Sequence, residues 1–78
     1  MVDKVVITDP VGAPALVADG VAVVVAGPDA ALVGTAVAAL RAAGAEAAGW
    51  VGDPSDDAVL AMAAELFPGA EIMVAAGG

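Results

Sequence analysis

The fold class this sequence predicts is a small open α/β sheet of parallel strands, and three observations predict it. Short runs of apolar, β-branched residues take turns with segments of helical periodicity. The runs are continuous rather than alternating, as expected for strands buried on both faces of a parallel sheet. The connections between them are long enough for parallel crossovers. With 78 residues, a single domain is expected.

Lys4–Thr8 (KVVIT) reads as the first strand. The connection that follows, Asp9 to Gly20, is 12 residues long and holds Pro10, Gly12, Pro14 and Gly20. That is near the minimum for a crossover, so at best a turn or so of helix fits, over Ala15–Asp19. Val21–Ala26 (VAVVVA) is the clearest strand. Asp29 is an N-cap for a helix over Ala30–Ala43, with Gly44 as its stop. Leu32, Val33, Val37 and Leu40 form its apolar stripe, and alanine fills most of the other face. Ala45–Val51 is a third strand, diluted by Ala and Gly49. Asp53 is the expected cap of the second helix, with Pro54 at its first position and Asp56 three residues after the cap. Acids at a helix start are favoured by its dipole. Val59, Leu60, Ala63, Leu66 and Phe67 recur at helical spacing, Pro68-Gly69 ends the helix, and Glu71–Ala75 (EIMVA) is the fourth strand. Right-handed crossovers then give about four parallel strands with two main helices and one short first helix.

Composition removes whole classes of function. There is no His, Cys or Tyr, so a disulfide scaffold, a zinc–cysteine site, a thiol nucleophile and any triad using His are excluded by residue type. Two bases against ten acids give a net charge of −8. No nucleic-acid partner is expected, since that affinity comes mostly from neutralising phosphates. Apolar residues make up 62% of the chain, which argues against disorder. Asp19, Pro28, Asp29, Arg41, Glu46 and Asp53 interrupt every stretch before it reaches the ~18–20 apolar residues of a spanning helix. Met1-Val2-Asp3-Lys4 has no basic region ahead of a long apolar core. The expectation is a chain with no signal peptide and no membrane span, in a cytoplasmic setting.

Three segments together resemble one family. ALRAAGAE (Ala39–Glu46) is similar to the helix-to-strand junction of short-chain dehydrogenases/reductases. GDPSD (Gly52–Asp56) resembles that family's Asp-x-Ser/Thr-Asp turn, and EIMVAAGG (Glu71–Gly78) its fourth strand with the Asn-Asn-Ala-Gly end. The three fall in order within Gly20–Gly78, 59 of the 78 residues. The resemblance implies a Rossmann-type fold with strand order 3-2-1-4 and an NAD or NADP cofactor. The departures are as specific. Thr8 matches the start of the family's Thr-Gly-x-x-x-Gly-x-Gly loop, but Asp9, Ala13 and Ala15 stand where its glycines belong, with Gly12 one residue out of register. Pro28 stands where members using the phosphorylated cofactor commonly have Arg. Ala75-Ala76-Gly77-Gly78 replaces Asn-Asn-Ala-Gly. The family's catalytic Ser, Tyr and Lys lie beyond its fourth strand, so no catalytic residue is assigned in this sequence.

In an open α/β sheet, ligands bind outside the carboxyl ends of the strands, where strand order reverses. In the implied order that point lies between the first and fourth strands. The candidate cofactor-binding residues are therefore Thr8, Gly12, Ala75 and Ala76, joined by Asp9, with Gly27 and Asp53 on the adenine side. The same edge carries Asp9, Asp29, Asp53, Asp56 and Asp57, whereas Lys4 and Arg41 belong to the opposite edge. Backbone N–H groups alone can hold phosphate at a helix N-terminus, but an adjacent Asp opposes it. The acids read first as helix caps and first-turn residues, and no metal site is expected. Gly12 reads either as a turn glycine or as a point of phosphate approach. Trp50 reads either as core or as a stacking surface.

Two functions follow as expectations. One is a nucleotide-binding half-domain of a dehydrogenase/reductase-like protein, not competent alone because its catalytic groups come from elsewhere. The other is a scaffold or interaction module without cofactor, whether natural or an engineered minimal α/β protein. In that case Ile72, Met73 and Val74 form an unpaired edge, and self-association or a partner is expected there.

Overall fold

The computed structural model describes residues 2–54 and 56–75, and for Pro14 and Ala15 the backbone only. Its elements run β1 (Lys4–Thr8), a 3-10 turn η1 (Ala13–Leu16), β2 (Val21–Gly27), α1 (Ala30–Ala42), β3 (Glu46–Val51), α2 (Asp57–Leu66) and β4 (Glu71–Val74). All pairings are parallel, and the strand order is β3-β2-β1-β4, a Rossmann-like arrangement. The first two crossovers step outward from β1 to β3. The third carries the chain back over the sheet to the far side of β1.

That reversal divides the helices between two faces and gives two cores. On one face α1 and η1 cover Val23, Val25 and Ala47 with Ala13, Val33, Ala36, Val37 and Leu40. On the other, α2 sets Val59 and Ala63 on Val5, Ile7, Ala22, Val24 and Ala26. Ala22–Ala26 are wholly inaccessible, which is why VAVVVA reads as a continuous apolar run: β2 has no solvent face.

The predicted fold class holds, and the corrections are local. The first helical turn begins at Ala13 rather than Ala15 and is a 3-10 turn of four residues. Within α1 the buried set is Val33, Ala36, Val37 and Leu40, while Leu32, placed in the stripe by the sequence, is 57% exposed. Spacings of three, four and seven from Val33 keep one face on the sheet, and Leu32 falls outside that face. Leu66 is likewise 51% exposed.

The start of α2 is the clearest correction. Its N-cap is Asp56, not Asp53, and Asp57 rather than Pro54 opens the helix. The amide of Asp56 donates to the Asp53 carbonyl at 3.1 Å, closing a turn that includes Pro54. Pro favours the second position of such a turn as readily as a helix start. The Asp56 carboxylate then accepts from the Ala58 amide at 2.9 Å. At α1 the expected cap stands: Asp29 Oδ1 accepts from Ala31 N at 2.9 Å and Leu32 N at 3.3 Å. No helix among the described residues is long and apolar enough to cross a membrane.

Candidate functional site

The carboxyl ends of the strands lie together at one edge of the sheet, and the structure divides the predicted site residues there into two groups. Thr8, Gly12 and Ala75 cluster between β1 and β4, at the point where strand order reverses. Thr8 is buried, and its hydroxyl donates to the Ala75 carbonyl at 3.4 Å. A Cβ on Gly12 would come within 3.2 Å of Thr8 Oγ1 and 3.4 Å of Asp9 Oδ1. Gly12 therefore lets the loop pack down onto its own start. Ala76 lies outside the described residues.

The decisive contact is internal to this loop. The Gly12 amide donates to Asp9 Oδ1 at 2.8 Å. In a phosphate-gripping loop such an amide is kept for the ligand. Here a fixed negative charge already occupies it. The helix behind it is four residues of 3-10 turn whose N-cap, Gly12, makes no side-chain cap bond, so a full-length helix N-terminus is missing as an anion anchor.

Gly27 and Asp53 belong to a different place, a cavity of about 490 Å³ over the end of β2. Its walls are Asp9 and Pro10 from the first loop, Ala26 to Pro28 from the second, and Gly52 to Pro54 from the third. Its volume is in the range of small-molecule sites. Gly27 is a glycine because the first loop lies on it: a Cβ there would meet Pro10 Cδ at 3.2 Å and Cγ at 3.3 Å. The sequence reading missed Pro10, Pro28, Pro54, Ala26 and Gly52 as lining. Each proline follows shortly after a strand or precedes a helix, which was the available signal.

Trp50 lies against Gly52 of the cavity wall. It packs with the α2-side core, and its indole Nε1 is buried with no hydrogen-bond partner. Gly52, at φ +152°, passes so close that a Cβ would sit 2.7 Å from Nε1. No group of three or more metal-ligating side chains is assembled among the described residues.

The charges fall as the sequence placed them. Asp9, Asp29, Asp53, Asp56 and Asp57 lie on the strand-end edge, in loops or helix starts. Lys4 opens β1, and Arg41, in the last turn of α1, donates through Nη2 to the Ala47 carbonyl at 3.0 Å. Neither base is near the cavity lining. An electropositive pocket for phosphate is therefore not built from these residues, whereas the proline-walled cavity offers apolar surface beside carboxylates.

No protein-family model, curated protein or solved structure matches the chain.

Proposed function

We propose that the chain is a non-catalytic Rossmann-like module that acts by association, its phosphate loop closed from within. The bond from the Gly12 amide to Asp9 Oδ1 carries this reading. It uses the amide a pyrophosphate would need, and it does so with a like charge. These residues also include no Tyr or His for proton transfer, and Lys4 is on the wrong edge. Support for association comes from β4, where Met73 is 43% and Val74 46% exposed on a terminal strand. Calorimetric titration with NAD(H) and NADP(H), followed also by Trp50 fluorescence, should give no saturable binding in the wild type. Asp9→Ala should gain whatever weak phosphate affinity the loop can still offer. Saturable wild-type binding that Asp9→Ala leaves unchanged would overturn the closed-loop reading.

A second reading has its own support, the cavity at Gly27 and Asp53. In it the chain is the half-domain of a short-chain dehydrogenase/reductase-like protein and takes the adenosine end of NAD or NADP, while another segment or subunit supplies the catalytic groups. Asp9 and Asp53 beside the cavity favour a neutral ligand over an anionic one. Adenosine should then bind at least as tightly as AMP. An affinity that rises with each added phosphate would count against this version of the site.

A further inference from the structure

We propose that the cavity over the end of β2 binds a small aliphatic amine in its protonated form. The proposal rests on the same cavity as the adenosine reading but not on that ligand, and it is independent of what covers β4.

The backbone leaves this cavity short of hydrogen-bond donors. Pro10, Pro28 and Pro54 line it and have no N–H. Ala26 and Gly27 belong to β2, which is paired on both sides, so their amides turn alternately to β1 and β3. The Gly52 amide donates to the Gly27 carbonyl at 2.8 Å. Three prolines and three amides engaged in the sheet mean that six of the eight lining residues offer a ligand no N–H. Acceptors are in better supply. Asp9 and Asp53 both line the cavity, and each carries a carboxylate. The Gly12 amide engages Oδ1 of Asp9, and Oδ2 remains an acceptor. Neither base of the chain is in the lining. A ligand that fits therefore brings N–H donors and positive charge.

The walls narrow the class of cation. Proline rings and the Ala26 methyl give apolar surface, which a hydrocarbon chain covers favourably and a hydrated ion does not. Mg²⁺ and Ca²⁺ take about six or more oxygen ligands. No group of three or more metal-ligating side chains is assembled among the described residues, so a metal ion is a poor match. A quaternary ammonium has no N–H and is recognised by aromatic faces. Trp50 touches Gly52 but is not part of the lining, and no other aromatic residue is. A primary ammonium meets every condition. It has three donors and no acceptor, a full positive charge at neutral pH, and an alkyl chain for the proline walls. A cavity of about 490 Å³ has room for a compact molecule of this kind.

The test is titration with hexylammonium, hexan-1-ol and hexanoate, which share one chain and differ in charge. Binding is followed by Trp50 fluorescence and by the NMR shifts of backbone amides. At neutral pH and low ionic strength, hexylammonium should bind one to one with a Kd of roughly 0.1–1 mM and move the amides of Gly27 and Gly52. Hexan-1-ol should bind about tenfold more weakly, and hexanoate not at all. Asp53→Asn keeps the side-chain shape; it should weaken hexylammonium about tenfold, leave hexan-1-ol unchanged and keep the native far-UV circular dichroism. Asp57→Asn removes an acid of the same edge outside the lining, and should change affinity by less than about twofold. Equal losses in the two variants would mean attraction to the acidic edge at large and overturn the site. Hexan-1-ol or hexanoate binding as tightly as the amine would overturn the class of ligand. Adenosine titrated alongside separates the two readings of the cavity. Adenosine binding without amine binding ends this proposal alone, and a cavity that takes neither ends both.

Discussion

Gly49 shows how closely α1 rides on the sheet. A Cβ at this position would lie 2.9 Å from Val33 Cγ1 and 3.3 Å from Val37 Cγ2. Both neighbours are valines, stiff at χ1 and short, so neither can swing aside. Gly49→Ala should therefore destabilise the fold by about 1–3 kcal/mol, read as a lower urea midpoint. A near-neutral result is expected at Trp50. Its unpartnered Nε1 is a buried donor that water can no longer satisfy. Trp50→Phe removes that donor along with part of the ring. The two effects oppose, and the net change should stay within about 1 kcal/mol. A loss well above that by chemical denaturation would mean the indole N–H has a partner in solution. Neither result is legible in the sequence, where Gly49 looked like a dilution of the strand. Small size at that position is what admits Val33 and Val37 to the sheet.

At the scale of elements, most of the architecture was legible because hydrophobic periodicity reports burial directly. The unbroken run at Val21–Ala26 identified a central strand, and Val33, Val37 and Leu40 identified the face of α1. The start of α2 was not legible. Asp53 and Asp56 both satisfy the rule for an N-cap, and Pro54 favours the first. The choice is made by a backbone turn from Asp53 to Asp56, which local propensity does not encode. Asp56→Ala should accordingly cost about 1 kcal/mol of stability in thermal or urea unfolding, the usual worth of a cap. The site was legible in part. Thr8, Gly12 and Ala75 do come together, but the cavity walls come from three separate loops. Their stacking is a tertiary fact, and no one loop announces it.

At the scale of the molecule, net charge sets the conditions under which association can be seen. Each chain carries −8, so two copies repel at long range even where β4 itself is neutral apart from Glu71. Raising ionic strength from ~0.01 M to ~0.15 M shortens the screening length from ~30 Å to ~8 Å. Self-association, one form of the association proposed above, should tighten with added salt, several-fold in sedimentation equilibrium, the reverse of an association built on ion pairs. Because binding of a second copy favours the folded state, the melting temperature should also rise with protein concentration.

The strand order has a kinetic meaning as well. Lys4 finds Val21 only 17 positions away, but must wait for Glu71, 67 positions away. Closing the longer loop costs about 1 kcal/mol more chain entropy. The β1–β2–β3 sheet can assemble from nearer contacts, whereas β4 returns from the far end of the chain to a strand already in place. The amides of Met73 and Ala75 should thus exchange with solvent sooner than those of Lys4 and Val6, which are turned toward β2. If β4 is the last piece to dock and the first to leave, a nascent chain passes through a three-stranded stage whose exposed β1 border accepts any matching β4. Two chains could then trade that strand instead of merely touching along it.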